Sequence, residues 1–223
     1  MPIKIDAVLF DLDGTLADTA LDLIETLNSL LVKHGFAAKP FDEMRPHVSN
    51  GSVAIIEAGF GFGAEHPQFA SLKGEFLQLY LDNICHLTTL FPGFEQLLEA
   101  LEQRSIPWGI VTNKPAYLTE PLMVGLGLTE RAACIISGDT TSHAKPHPEP
   151  ILHACQLAGV APQQTLYVGD ARRDIEAGHR AGTLTLVALF GYLAEDAQPE
   201  MWGADGMVKR PSDILRWLDR HAA

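Results

Sequence analysis

The sequence is short of cysteine and has no long apolar run. It contains three cysteines among 223 residues, and none of them forms a CxxC pair. This composition excludes a disulfide scaffold, so we expect Cys85, Cys134 and Cys155 to be buried thiols in a reducing compartment. No stretch approaches the roughly 18 apolar residues of a membrane span. Asp6 and Asp11 interrupt any apolar segment of an N-terminal signal peptide. We therefore expect a cytoplasmic protein that binds no membrane.

Positive charge is also scarce. Lys and Arg total 16 against 28 Asp and Glu, which gives a formal net charge of −12. Such a surface repels nucleic acid and anionic membranes, so we expect a small-molecule partner. If that partner carries phosphate, positive charge must come from a metal ion, one or two lysines and backbone amides. Hydrophobic residues make up 47% of the chain, enough to bury a full core. The protein is expected to be a monomer or a homodimer.

The most informative segment is VLFDLDGTL, residues 8–16. Its first three residues predict a buried strand, which ends in two aspartates, Asp11 and Asp13. Alternate side chains of a strand share a face, so the two carboxylates begin by pointing the same way. They would repel each other unless a cation lies between them. Gly14 allows a sharp turn with exposed amides, which favours a site for Mg²⁺ and phosphate. A strand ending in an ordinary Asp-Gly turn is the alternative.

Apolar strands alternate with helices along most of the chain. Helical periodicity extends over residues 19–90, with no second strand of the opening type. Beyond a Phe-Pro-Gly turn at 91–93, strands and helices alternate, which predicts a parallel sheet with helices on both faces. We therefore predict an α/β fold with a Rossmann-like core, residues 1–18 and 91–223. An α-helical cap domain, residues 19–90, is inserted after the first strand. Ligands of such folds bind beyond the carboxyl ends of the strands.

The periodicity also gives bounds for these elements. The first helix begins after a cap at Asp18 or Thr19 and ends near Gly35. Further helices are predicted at 51–58, 69–84, 94–103, 116–125, 148–158, 174–181 and 212–220. Strands are predicted at 107–111, 133–136, 165–168, 185–189 and 204–208.

Two further motifs place polar groups after strands. Thr112 and Asn113 end the second strand, where a hydroxyl and an amide suit a phosphate oxygen. Taken alone, this segment favours a plain polar loop. Lys145 lies in a proline-stiffened loop, where its ammonium could offset a phosphate and neighbouring carboxylates. A solvated loop is the usual interpretation of a single lysine before prolines. His143 and His147 flank this lysine. Two prolines argue against the helix that would bring the histidines together as metal ligands, so we expect surface residues.

The last motif is GDARRD at residues 169–174. An apolar strand again ends in Gly-Asp, and a second acid follows on the first turn of a helix. Asp170 could complete a Mg²⁺ site with Asp11, while Asp174 could orient a water or Lys145. Helix capping would explain one of these acids. It would not explain why two acids follow this strand when two more, Asp11 and Asp13, follow the first strand.

DLDGT, TN, KP and GDARRD, in this order and spacing, resemble the motifs of the haloacid dehalogenase-like superfamily of phosphatases. The helical insert after the first motif resembles the small cap domain of the phosphoglycolate phosphatase-like branch. Longer segments (VTNKP, EPLMVGLGL, KPHPEPI, GDARRDIEAG and WGAD) are similar to the N-acetylmuramate 6-phosphate phosphatases of bacterial cell-wall recycling. The resemblance implies a phosphoric monoester hydrolase that acts on a small phosphorylated metabolite. N-Acetylmuramate 6-phosphate and 2-phosphoglycolate are the expected candidates.

Carried over by motif, the resemblance makes Asp11 the nucleophile, which forms an aspartyl-phosphate. It makes Asp13 the general acid and then the general base. The cofactor is Mg²⁺, held by the Asp11 carboxylate, the Asp13 backbone carbonyl and Asp170, with Asp174 in support. The phosphoryl group would be stabilised by Thr112, Asn113, Lys145 and the Gly14 turn amides.

The predicted cap domain contains one polar segment ahead of a helix, residues 45–51. It resembles the substrate-facing segment of this branch, so Arg45 could meet a substrate carboxylate and Ser49 or Asn50 a hydroxyl. A solvated helix face is the alternative. The cap is expected to choose the substrate and to exclude water when closed.

Four other functions share part of this pattern. A hydrolytic dehalogenase of the same superfamily needs neither Mg²⁺ nor the second acid, which is present here as Asp13. A sugar-phosphate mutase keeps that acid, and only an assay for released phosphate separates it from a phosphatase. A non-catalytic phosphate-binding regulatory protein would have lost an acid, and none is missing. A dinucleotide-binding protein would carry GxGxxG after the first strand, where this chain has acids.

Overall fold

A six-stranded parallel β-sheet forms the centre of the molecule. The computed structural model describes residues 4–221, and for residue 221 only the backbone. The strands, in spatial order, are β5, β4, β1, β6, β7 and β8. Their bounds are Ala7–Phe10 (β1), Trp108–Val111 (β4), Cys134–Ile136 (β5), Thr165–Gly169 (β6), Leu184–Ala188 (β7) and Gly206–Val208 (β8). A short antiparallel ribbon joins Ala17–Asp18 (β2) to Thr89–Leu90 (β3).

Register brings the carboxyl ends of the three central strands together. Phe10, the last residue of β1, lies opposite Ile110 of β4 and Val168 of β6. The chain continues from these strands into Asp11, Thr112 and Asp170, respectively. Three polar motifs far apart in sequence therefore meet at one edge of the sheet.

The sheet is buried on both faces, as a parallel sheet requires. Side chains of β1 alternate: Val8 and Phe10 pack into the larger apolar cluster, and Leu9 packs into the smaller one. Helices that follow residue 90 contribute to both clusters. These helices are Phe94–Gln103 (α5), Ala116–Gly125 (α6), Glu149–Ala158 (α7), Arg172–Ala181 (α8) and Ser212–His221 (α9). Alternation along the strand thus fixes which helix covers which face.

Four helices follow β2 and pack on one another. They are Ala20–Lys33 (α1), Phe41–Val48 (α2), Gly51–Phe60 (α3) and Phe69–Asp82 (α4). Their apolar faces join the larger core cluster through residues such as Leu27, Ile56 and Phe76. The β2–β3 ribbon closes the two crossings between this helical segment and the sheet. No helix within residues 4–221 is long and apolar enough to cross a membrane.

The predicted fold class, a parallel α/β sheet with inserted helices, is confirmed. The predicted bounds of α5 and α6 agree with the structure at both ends. Sequence analysis missed helix α2, because Pro46 lies inside it, and missed the ribbon, because its strands are two residues long. The predicted side-chain cap at Thr19 is wrong. Thr19 precedes α1, but its hydroxyl bonds another residue and caps no amide.

Candidate active site

Lys145 is the centre of the polar cluster at the carboxyl edge of the sheet. Its Nζ lies 2.8 Å from Asp11 Oδ1 and 2.7 Å from Asp174 Oδ1, and its side chain is only 1% exposed. It also donates to the carbonyl of Val111 at 2.7 Å and to the hydroxyl of Tyr167 at 2.8 Å. One buried cation therefore offsets two buried carboxylates, each from a different strand end.

Asp174 is held on both of its carboxylate oxygens. Oδ1 accepts from Lys145 and, at 3.4 Å, from the Tyr167 hydroxyl, while Oδ2 accepts from the Ala171 amide at 2.9 Å. The residue is fully buried on the first turn of α8. This geometry fits a carboxylate that supports its neighbours, because both oxygens are already engaged.

Asp11 presents one free carboxylate oxygen. Its Oδ1 accepts from the Leu12 amide at 2.8 Å and contacts Lys145. Within the described part of the chain, no hydrogen bond reaches Oδ2. Because Asp11 also lines the cavity described below, this second oxygen is the one available for a ligand.

Asp170 faces Asp11 from the end of β6. Its Oδ1 accepts from the Thr15 hydroxyl at 3.2 Å, and its Oδ2 accepts from the Tyr192 amide at 2.9 Å. Gly14 has φ +84°, and a Cβ there would lie 2.4 Å from Asp170 Oδ2. Glycine at this turn is therefore required twice, for its backbone angle and for the close approach of the carboxylate.

The three buried acids carry more negative charge than Lys145 offsets. Burial and then the Asp174 charge raise the pKa of Asp11 to about 6. Burial, followed by the charges of Asp11 and Asp174, raises the pKa of Asp170 to about 7. One oxygen from each carboxylate lies within 4.8 Å of the others. Clustered hard oxygen donors with excess negative charge suit Mg²⁺, so the residues present fit the cofactor that the sequence predicts.

Asp13 lies at the opposite side of the turn, next to a second lysine. Its Oδ1 accepts from the Thr19 hydroxyl at 2.7 Å and from Lys114 Nζ at 2.9 Å. Lys114 also donates to the Tyr80 hydroxyl of α4 at 2.9 Å. Burial lowers the pKa of Lys114, but Asp13 and Tyr80 together raise it above its ordinary value. Burial raises the pKa of Tyr80 to about 12, so this hydroxyl stays protonated.

Thr112 and Asn113 follow β4, as predicted, and both line the cavity. Asn113 pairs with the backbone of Lys145: its amide donates to the carbonyl at 2.9 Å, and its oxygen accepts from the N–H at 2.9 Å. The side chain predicted to bind substrate therefore also holds the lysine loop in place. Thr112 Oγ1 accepts from the Lys114 amide at 3.1 Å, which shapes the turn behind it.

A cavity of about 550 Å³ opens above these residues, between the sheet edge and the helical segment. Its floor includes Asp11 and Asp13, and Ser49 and Asn50 line it from the segment above. Arg173 of α8 crosses the gap and donates to the backbone oxygen and the hydroxyl of Ser49. A volume of this size accommodates a ligand larger than a phosphate group alone.

Arg45 does not line this cavity. Its guanidinium lies 4.9 Å from the centre of the Tyr192 ring and contacts the carbonyl of Phe190 at 3.4 Å. The structure thus brings together nine of the ten predicted site positions, and Asp174 with them. The tenth, Arg45, packs against Tyr192 beside the cavity.

The histidines beside Lys145 lie at the surface, as predicted. No helix joins them, also as predicted, yet the rings of His143 and His147 stack with centroids 4.3 Å apart. Glu149 joins them, 2.7 Å from His143 Nδ1. A turn, and not a helix, brings the pair together. Of the cysteines, Cys134 and Cys155 are buried as expected, while Cys85 is half-buried.

Lys114, Tyr80 and Arg173 line the cavity, and sequence analysis assigned none of them to the site. Lys114 directly follows a predicted motif residue, Asn113, so its position was the available signal. Tyr80 lies on an apolar helix face, and nothing in that pattern shows that its hydroxyl reaches a lysine of the core. Arg173 lies within GDARRD, between two acids that form the recognisable part of the motif.

The sequence matches the haloacid dehalogenase-like hydrolase family over residues 8–188. The chain therefore belongs to this family, as its motifs predicted. The crystal structure of a predicted phosphoglycolate phosphatase from Haemophilus somnus 129pt superimposes with a TM-score of 0.84 at 27% identity. That match covers 96% of this chain and 97% of the other.

Two curated relatives are more similar to this chain in sequence than that solved structure is. An N-acetylmuramic acid 6-phosphate phosphatase of Pseudomonas aeruginosa is 39% identical over 218 residues, covering 98% of this chain and 96% of the relative. A phosphoglycolate phosphatase of Xanthomonas campestris pv. campestris is 42% identical over 208 residues, covering 93% and 94%. The names of these relatives agree with the predicted enzyme class, a phosphoric monoester hydrolase, which is thereby confirmed.

Proposed function

We propose that the protein is a Mg²⁺-dependent phosphomonoesterase that acts through an aspartyl-phosphate on a small phosphorylated metabolite. The observation that carries this proposal is the convergence of Asp11, Asp170 and Asp174 on one buried point beside Lys145, at the floor of a cavity. Relatives named for N-acetylmuramic acid 6-phosphate and for phosphoglycolate make these two esters the first candidates.

Asp11 is suited to be the nucleophile. Leu12 and Lys145 fix its Oδ1, and its Oδ2 is left to attack phosphorus. The new P–O bond would form as the bond to the leaving alkoxide breaks. Asp13 is suited to give that alkoxide its proton, because Thr19 and Lys114 both bond Oδ1 and leave Oδ2 for the proton. In the second step the same carboxylate would take a proton from the attacking water.

The Asp11 and Asp170 carboxylates would hold Mg²⁺ together with the Asp13 backbone carbonyl, and Asp174 would support them. When bound, the ion supplies the positive charge that lets a phosphate dianion approach these acids. Lys145 adds a second positive charge on the other side of Asp11. The Thr112 hydroxyl lines the cavity and would stabilise the transferring phosphoryl group. The Gly14 amide already donates to the Ala17 carbonyl at 3.0 Å, so it would have to exchange that partner to do the same.

The helical segment, residues 19–90, acts as a cap over this floor. Ser49 and Asn50 line the cavity from above and could bind substrate hydroxyls. Arg173 and Lys114 bridge from the core to Ser49 and Tyr80 of the cap, which fixes the cap against the catalytic groups. Closure of this kind excludes water from the reacting phosphate.

A panel of phosphomonoesters, assayed for inorganic phosphate with and without Mg²⁺, tests the proposal. We expect the wild-type protein to release phosphate only with the metal and Asp11→Asn to release none while keeping its fold. An Arg45→Ala variant, altered outside the cavity, serves as a control whose kcat/KM stays unchanged. Wild-type-like hydrolysis of an aryl phosphate by Asp11→Asn would refute the nucleophile assignment. Conversion of a sugar phosphate to its isomer without phosphate release would favour a mutase.

A further inference from the structure

One face of α4 forms a wall of the cavity and carries a lysine among apolar residues. Lys73, Phe76, Leu77 and Tyr80 all line the cavity, and their spacing of i, i+3, i+4 and i+7 places them on a single helix face. Such a face is ordinarily apolar throughout. Lys73, at the first position, is half-buried and lies on the cavity side of the helix.

Lys73 differs from the other cations that line this cavity. Lys114 is engaged by Asp13 and Tyr80, and Arg173 is engaged by Ser49. Between residues 4 and 221, no side chain or backbone group makes a hydrogen bond or ion pair with Lys73. The cavity thus contains one cation that is available to a ligand.

We propose that Lys73 binds a carboxylate of the substrate, at the end of the cavity remote from the phosphate. This inference rests on the proposed phosphatase function and names the substrate class of that site. Both relatives' names denote phosphate esters that carry a carboxylate, glycolic acid in one case and muramic acid in the other. A cation held against an apolar wall is suited to that group, because low local polarity strengthens the attraction.

The distance between Lys73 and Tyr80 along α4 distinguishes these two esters. Tyr80 marks the phosphate end of the cavity, since its hydroxyl bonds the lysine that contacts Asp13. Lys73 precedes it by seven residues, which is about 10 Å along a helix axis. In phosphoglycolate a single carbon separates the carboxylate from the ester oxygen. In N-acetylmuramic acid 6-phosphate the lactyl carboxylate lies across the sugar ring from the phosphate, and this longer separation matches the cavity.

Matched substrates test the assignment. N-Acetylglucosamine 6-phosphate has the same ring and phosphate as N-acetylmuramic acid 6-phosphate but lacks the lactyl carboxylate. The measured quantity is the ratio of kcat/KM for the acidic sugar to that for the neutral one. We expect Lys73→Met to lower this ratio roughly 10- to 150-fold, the value of a hydrogen bond to a charged group. The loss should lie in KM, and Lys73→Arg should recover most of it.

Lys39→Met is the matched control, because Lys39 pairs with Glu43 on the cap and does not line the cavity. It should leave the ratio unchanged. If Lys73→Met lowered kcat/KM equally for both sugars, the role of Lys73 would be structural and the assignment would be overturned. If it lowered kcat/KM for neither sugar, the assignment would also be overturned. A wild-type preference for phosphoglycolate over the acidic sugar would also overturn it, with the phosphatase function intact. Failure of the wild type to release phosphate from any ester would remove the proposed function itself.

Discussion

Lys145→Met is the substitution that tests the electrostatics of the site most severely. Methionine keeps the length and apolar stem of lysine and removes the charge. The lysine Nζ lies 2.8 Å from Asp11, 2.7 Å from Asp174 and 2.7 Å from the Val111 carbonyl, and its side chain is 1% exposed. Its loss removes the only cation that contacts these two buried carboxylates within the described residues and leaves Arg173 as a more distant counter-charge.

The magnitude follows from the cost of breaking a buried ion pair. Removing one partner ordinarily costs about 3–5 kcal/mol, because the remaining charge stays buried. For a chain of this length, 1 kcal/mol corresponds to about 2–4 °C in Tm, so the expected loss is roughly 6–20 °C. Mg²⁺ should recover part of this loss, since it would offset the same acids.

Urea and thermal unfolding of the metal-free protein measure this effect. Lys39→Met provides the comparison, because its i,i+4 pair with Glu43 is exposed and is worth at most about 0.5 kcal/mol. A Lys145→Met protein as stable as Lys39→Met would show that the buried carboxylates are not held by this lysine. It would also show that the charge balance inferred for the site is wrong.

Three further predictions follow from the same contacts. The raised pKa values of Asp11 and Asp170, about 6 and about 7 against an ordinary 3.8, mean that the folded state binds more protons than the unfolded state. In their charged forms these two buried carboxylates destabilise the folded state. This destabilisation is absent below about pH 4 and complete above about pH 7. The stabilisation of the fold by Mg²⁺, measured by urea titration, should therefore grow across that range. Mg²⁺ stabilisation that is equal at pH 4 and pH 7 would contradict this. Gly14→Ala, with its Cβ 2.4 Å from Asp170, should abolish Mg²⁺-induced stabilisation, and calorimetric Mg²⁺ binding of wild-type strength would count against the packing described. Tyr80→Phe should cost about 1 kcal/mol and lower kcat, because Lys114 loses a buried acceptor; unchanged kcat would remove Tyr80 from the site.

The floor of the site could be predicted because each part of it lies within a local pattern. A buried strand followed by acids, as at Asp11 and Asp170, fixes where the carboxylates emerge, and parallel topology then brings the strand ends together. Asp174 follows from the same logic, since it lies in the first turn of the helix after β6. Local sequence and sheet geometry point to the same answer here.

The upper part of the cavity could not be predicted in the same way. Which face of α4 meets the core depends on how four helices pack, and Tyr80 is indistinguishable in sequence from an ordinary core residue. Arg45 shows the opposite error. It is a charged residue in a polar segment, yet helix α2 turns it towards Tyr192 and away from the cavity. Tertiary packing decides these positions, and no periodicity encodes it.

The most direct test of the central claim is the chemical identity of the phosphorylated residue. Asp13→Asn keeps the Oδ1 acceptor but removes the base for the second step, so an aryl phosphate should leave the phosphoryl group on the enzyme. After an acid quench, peptide mass spectrometry should locate that group on Asp11 in a Mg²⁺-dependent manner. A phosphoryl group on any other residue would contradict the assignment of Asp11 as the nucleophile.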